Sequence, residues 1–201
     1  MLEDIKWLGH AGFKLIGEKI VYIDPFKIKE NQSADIIICT HEHFDHLSPE
    51  DIKKVQTGKT VIVTTPDCYS KVSGNVKTIS VGQSLEVDGI RIEAVPAYNT
   101  NKNFHPKYNG WIGVVISMNG KKIYHAGDTD NIPEMANLKD IDVALLPVSG
   151  TYVMTAEEAA DAANKIMPKV AVPMHYGAIV GTAADAERFK KLCKCKVEIL
   201  D

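Results

Sequence analysis

Residues 41–46 place His41, His43 and His46 among two carboxylates, Glu42 and Asp45, with Phe44 between them. Imidazole nitrogens and carboxylate oxygens at that density suit a borderline divalent cation such as zinc. The cluster follows directly on the apolar run 36–39, which reads as a buried strand, so the donors belong to the loop where that strand ends. Two further apolar runs end the same way. Residues 121–125 lead into Ala126, Gly127, Asp128 and Thr129, and residues 170–174 lead into His175, Tyr176 and Gly177. One histidine behind a strand is commonly a surface residue. Three strand ends with matching donors point to a shared metal centre.

The elements that must hold these ends are legible in outline. Residues 5–24 break at Gly9 and Gly17 into three short strands, the last closed by Asp24 and Pro25. Ser48, Pro49 and Asp51 start a helix just past His46, with Asp51 as the capping-box partner. Residues 60–64 and 78–81 read as strands. Asp88-Gly89 and Asn119-Gly120 sit between alternating runs as two-residue hairpin turns. Residues 96–110 form a long loop holding Tyr98, Asn99, His105, Lys107 and Tyr108, and loops of that kind are commonly functional. Thr155 and Glu158 cap an alanine-rich helix that ends before Pro168, and a last helix over 182–192 precedes a strand at 196–200. Hairpins followed by strand–helix alternation in each half imply two packed sheets with helices outside.

Composition narrows the class. The chain of 201 residues is 45% hydrophobic and 24% charged, enough apolar content for one full core, read as a single domain over 1–201. A net charge of −3 gives no basic footprint for nucleic acid. No apolar run is long enough for a bilayer, and no signal-peptide pattern opens the sequence, so the expected compartment is cytoplasmic. Cys39, Cys68, Cys193 and Cys195 read as free thiols, because Cys193 and Cys195 lack the two-residue gap of a thiolate knuckle.

The pattern at 41–46, with Asp24 before it and Gly127, Asp128, Thr129 and His175 after it, resembles the metallo-β-lactamase-fold hydrolases across nearly the whole chain. Residues 7–10 and 23–25 look like the small prokaryotic zinc-dependent hydrolase branch of that superfamily. The resemblance implies a four-layer αββα sandwich of two mixed β-sheets with a binuclear site between the sheet edges. It implies that His41 and His43 hold a first metal, that Asp45, His46 and His175 hold a second, and that Asp128 bridges them. Asp24 would orient ligand histidines through their free ring N–H, or serve simply as a turn former before Pro25.

One departure stands out. Members with a full ligand set carry a histidine after the strand that corresponds to 90–95, whereas here Pro96, Ala97, Tyr98 and Asn99 follow it. His105 is the candidate replacement as third ligand of the first metal, with a place at the pocket mouth as the alternative. His10 is expected beside the ligands or lining the pocket, with Tyr98, Asn99 and Tyr176 as neighbours or substrate contacts. His125 reads as structural, Glu42 as solvent-facing, and Ser149 as a loop residue without a nucleophile's setting.

The chemistry implied is hydrolysis. Two Zn2+ ions, or Mn2+ or Fe2+ in their place, lower the pKa of a shared water from ~15.7 towards ~7, giving a hydroxide nucleophile. Asp45 would take its proton, with Asp128 the other catalytic carboxylate. The expected substrate is a small ester, lactone or phosphodiester. Alternatives are a phosphodiesterase or nuclease acting on nucleotide or phospholipid, and a non-catalytic or iron-binding redox protein with an incomplete site.

Overall fold

The computed structural model describes residues 2–201. Turns at Gly9 and Gly17 divide the N-terminal segment into β1 (Ile5–Gly9), β2 (Gly12–Ile16) and β3 (Ile20–Ile23), paired antiparallel in chain order. Strands β4 (Ile36–Cys39), β5 (Val61–Thr64) and β6 (Asn75–Thr78) extend that sheet in parallel. The second sheet repeats the plan. Strands β7 (Ser84–Val87), β8 (Ile90–Pro96), β9 (Ile112–Met118) and β10 (Lys121–His125) run antiparallel. Strands β11 (Val143–Pro147), β12 (Val170–Met174) and β13 (Lys196–Val197) then continue in parallel. Both hairpin turns have two residues at positive φ, Asp88 with Gly89 and Asn119 with Gly120, as the twist of flanking strands favours.

Side-chain alternation sets the layers. On β4, Ile36 and Ile38 enter the core between the sheets, while Ile37 and Cys39 face Ile52 and Val55 of helix α1 (Pro49–Val55). Helices α2 (Ala156–Ile166) and α3 (Ala183–Leu192) cover the second sheet with Ala159, Ala163, Ala186 and Phe189. The result is the αββα sandwich of two mixed sheets, each buried on both faces at its centre, where every Ile or Val contributes roughly 1.5–3 kcal/mol.

Three local expectations change. The strand read at 78–81 lies at Asn75–Thr78 instead, as an exposed edge strand, while Ile79 turns into the inter-sheet core. The last strand keeps only Lys196–Val197. Ser48 caps α1, but the Asp51 carboxylate accepts from the backbone amides of Lys27 and Ile28 and from the Ser48 hydroxyl, rather than closing the capping box. Thr155 and Glu158 do form their box, and α2 ends at Met167 in a left-handed conformation before Pro168. All four cysteines are free thiols. Among the described residues, no helix is long and apolar enough to cross a membrane.

Strand direction positions the site. Two antiparallel steps separate β1 from β3, so β1, β3 and β4 all end at one edge of the first sheet. By the same logic β8, β10, β11 and β12 end together in the second. The carboxyl edges of parallel strands are where α/β folds bind ligands.

Candidate metal centre

Each strand end delivers a polar residue. His10 follows β1, Asp24 follows β3, Thr40 and His41 follow β4, Asn99 follows β8, Asp128 follows β10, Ser149 follows β11, and His175 follows β12. His10, Asp24 and His175 have φ of 53°, 45° and 61°, a left-handed turn that stops the strand and swings the side chain off the sheet. Hydrogen bonds stitch the sheets at this edge, among them that from the Ile112 amide to the Thr40 carbonyl at 3.3 Å. The His175 amide donates to the His10 carbonyl at 2.8 Å, and His125 Nε2 donates to the Ala11 carbonyl at 2.8 Å. His125 Nδ1 accepts from the Gly127 amide, so this buried ring is a satisfied structural histidine. Gly127 is required before Asp128. Its φ is +63°, and a Cβ there would lie 2.6 Å from the Ile112 carbonyl oxygen.

The donors converge in two groups. His41, His43, His105 and Asp128 form one, and His10, Asp45, His46 and His175 the other, with the ligand-type atoms of each group within 4.8 Å of one another. Asp128 reaches both. Its Oδ2 lies 3.1 Å from His105 Nε2 and 3.2 Å from His175 Nε2, and its Oδ1 lies 3.2 Å from His46 Nε2. Asp45 Oδ2 lies 3.7 Å from His46 Nε2 and accepts from His10 Nε2 at 2.8 Å. The long loop thus brings His105 to the place that the strand-end histidine leaves open. His10 sits within the second group, closer to the centre than a lining residue.

Five of the histidines are held by one nitrogen and bare at the other: His10 is held at Nε2 by Asp45 and bare at Nδ1, and the other four are held at Nδ1. Asp24 Oδ2 accepts from His46 Nδ1 at 2.7 Å. The Thr40 hydroxyl gives its single proton to Asp24 at 2.7 Å, so it accepts from His41 Nδ1 at 3.0 Å. Asn99 Oδ1 accepts from His105 Nδ1 at 3.1 Å, and Ser149 Oγ pairs with His175 Nδ1 at 3.0 Å. A proton on each Nδ1 leaves the lone pair on Nε2. The Nε2 atoms of His41, His46, His105 and His175 are buried without a hydrogen-bond partner, as is Asp128 Oδ1. An unsatisfied buried polar atom costs about 1–3 kcal/mol, and five of them among the two donor groups are what bound cations would satisfy. Imidazoles with two carboxylates are also the donor set that suits zinc. The residues fit the metal.

Protonation follows the same geometry. Burial, with His46 nearby, holds the His41 ring well below its ordinary pKa, so it is neutral at pH 7. Burial opposes charge on His46 too, but Asp128 and Asp24 outweigh it and raise its pKa well above 6.5. Burial would raise Asp128, yet His175, His46 and His105 hold its carboxyl well below the ordinary range. Burial also lowers His10, so its Nε2–H donates to an ionised Asp45.

The other expected residues divide. Asn99 is central, since its amide nitrogen also donates to Asp130 and to the Tyr152 carbonyl and so anchors the loop. The Tyr98 hydroxyl turns away to Glu134, and the Tyr176 ring stacks on Trp7 at 5.0 Å, so neither joins a donor group. Lys107 pairs with Glu134, and Glu42 with Lys71. Sequence reasoning took Ser149 for a plain loop residue and passed over Thr40, Asp130 and Trp111, whose indole packs against His41 and His43 at 4.8 and 4.7 Å. The available signal was position, past a strand end for Thr40, Asp130 and Ser149 and just before β9 for Trp111.

Known proteins are similar to this chain along most of its length. The family described as beta-lactamase superfamily domain matches residues 4–175. A protein of Thermococcus onnurineus described as a UPF0173 metal-dependent hydrolase is 36% identical over 211 residues, covering 98% of this chain and 94% of its own. The crystal structure of a protein described as a metal-dependent hydrolase from Parabacteroides distasonis has 35% identity and a TM-score of 0.88, over 98% of this chain and 93% of that one. A Thermotoga maritima structure described as a zinc-dependent hydrolase of the metallo-β-lactamase superfamily has 26% identity and a TM-score of 0.66, over 98% and 97%. With its αββα sandwich, its two donor groups at the strand ends and these relatives along almost its full length, the chain belongs to the metallo-β-lactamase superfamily, among the metal-dependent hydrolases.

Proposed function

We propose that the protein is a binuclear zinc hydrolase that cleaves a small ester, lactone or phosphodiester. His41, His43 and His105 would hold one cation and Asp45, His46 and His175 the second, with Asp128 within reach of both. When bound, such a pair supplies Lewis acidity that lowers the pKa of water from ~15.7 towards ~7 and polarises the scissile group. The chain's own residues do the rest. Asp24 accepts from His46 and from Thr40, which in turn accepts from His41, so one buried carboxylate keeps two Nε2 lone pairs available. Asn99 and Ser149 do the same for His105 and His175. Asp45 is the proton acceptor at Oδ2, and His10 Nε2–H fixes that carboxylate in place.

The observation that carries this reading is the convergence of four buried Nε2 atoms without a hydrogen-bond partner, each with its opposite nitrogen already bonded. The test is a panel of chromogenic esters, lactones, thioesters and phosphodiesters on zinc-reconstituted protein and on Asp128→Asn. Turnover of one class, lost by 10³-fold or more in the variant, is the expected result. No turnover of any class, or full turnover by Asp128→Asn, removes the reading.

A further inference from the structure

The side chains around the metal centre carry a second pattern. Of its donors, His43 is half-buried and the Asp45 side chain is 12% exposed, whereas those of His46, Asp128 and His175 are 0–3% exposed. Solvent therefore reaches the centre over residues 43–45. Phe44 stands there with 69% of its surface exposed. Phe104, beside His105, is 49% exposed. The other three phenylalanines are buried, so both exposed ones adjoin a donor in the chain.

Neither ring stands alone. Phe44 packs edge-on against Phe26 at 5.7 Å, and Phe26 lies 5.9 Å from the His10 ring in the second donor group. Phe104 packs edge-on against Tyr152 at 4.8 Å, and the Tyr152 carbonyl accepts from Asn99, the residue that holds His105 in the first group. One aromatic ledge is thus anchored at each donor group. Ile179, 39% exposed on the loop after His175, adds apolar surface beyond the second. Single exposed apolar residues are ordinary, but exposed aromatics packed on a second ring beside a polar centre are how binding sites hold the unreactive part of a ligand.

Charge on the surrounding loops points the same way. Lys71 is tied to Glu42, Lys102 to Asp130, and Lys107 to Glu134. These three cations are neutralised by carboxylates, and Lys27 lays its ammonium over the Phe26 ring at 5.0 Å, so these loops gather little free positive charge for a polyphosphate or nucleic-acid backbone.

We infer that the two ledges, Phe26 with Phe44 and Phe104 with Tyr152, select substrates whose scissile group carries an extended apolar substituent, such as an aliphatic acyl chain. This rests on the hydrolase reading and names its substrate class. Remote apolar contacts of this kind set which substrate is committed to reaction, and each buried methylene contributes severalfold.

The test uses the zinc-reconstituted full chain with 4-nitrophenyl esters from acetate to octanoate, on wild type and on Phe44→Ser, Phe104→Ser and the double variant. Acetate and octanoate, the product carboxylates, are titrated calorimetrically in parallel, and metal content and sedimentation are measured for each protein. The expected kcat/KM rises roughly tenfold or more from acetate to octanoate in wild type, and that gradient shrinks to about twofold in the double variant. Ester turnover with no gradient, or a gradient that ignores both substitutions, overturns the inference and leaves the hydrolase reading standing. No turnover at any length removes ester hydrolysis instead, and the titrations then decide. Octanoate binding tighter than acetate, with the preference lost in the variants, supports the ledges, and equal binding overturns them. A dimer that dissociates on either substitution also overturns them, because the rings then face a second copy of the chain.

Discussion

At the scale of single residues, Asp24 organises the centre although it need not touch a metal. Its buried carboxylate accepts hydrogen bonds from His46 Nδ1, the Thr40 hydroxyl and the Thr40 amide. Asp24→Asn keeps the shape but must turn an NH2 toward one of those donors. Metal affinity is expected to fall roughly 10–100-fold while the far-UV spectrum stays native, measured by competition with a chromophoric chelator. Ser149→Ala, which frees His175 Nδ1, should lose about tenfold. Unchanged affinity in both would remove the orienting role. His46 sets the pH dependence. Its pKa is raised in the folded chain, so without metal the ring stays protonated at neutral pH, and a cation must displace that proton. Affinity should rise with pH, and calorimetry at pH 7 in buffers of different ionisation enthalpy should show net proton release. The metal-free chain shows the opposite trend, because a raised pKa contributes stability below the unfolded value of 6.5 that is lost as pH climbs through the folded one. Zero proton uptake or release would contradict this. The donors at 41–46, 128 and 175 were legible because each closes an apolar run. Thr40 and Ser149 were not. A hydroxyl has no pattern of its own, and Ser149 meets its partner 26 positions away, across adjacent parallel strands.

At the scale of elements, the hairpins, the capped helices and the central strands follow directly from local sequence, since glycine, proline and period-two alternation act within a few residues. Edges are harder to read. Strand β6 needs only its inner neighbour, so the more apolar 78–81 run outweighed it in the reading, while Ile79 went to the core. The same limit applies to Asp51, whose carboxylate prefers the amides of Lys27 and Ile28 over its own cap. It thereby joins the loop after β3 to helix α1, directly behind the metal loop. Burial pushes that carboxyl up, but bonds from Lys54, Ser48 and the two amides outweigh it and lower its pKa. A depressed pKa contributes stability above the unfolded value of 3.8, lost as pH falls through the folded one. Asp51→Asn should therefore be about 1–3 kcal/mol less stable at pH 7 by urea unfolding, with the difference shrinking below pH ~4. A difference that persists unchanged at low pH would mean that charge is not what holds the loop.

At the scale of the whole molecule, two sheets of the same plan face each other, and the first contributes the 41–46 cluster while the second contributes Asp128 and His175. A metal pair held across that seam would tie the halves together as well as supply chemistry. Chelation should then lower the melting temperature by an amount that grows with metal concentration in the reference sample. The loop that carries His105 joins β8 to β9 of the second sheet and brings that histidine beside His41 and His43 of the first; it was the least predictable part of the centre, because its position depends on Asn99, Asp130 and Thr129 rather than on any strand. Metal stoichiometry by elemental analysis is therefore the most direct measurement. Wild type is expected to hold two equivalents of zinc per chain, and His105→Ala and His175→Ala about one each, on opposite sides of Asp128. Two equivalents retained in both variants, or none in wild type, would contradict the account.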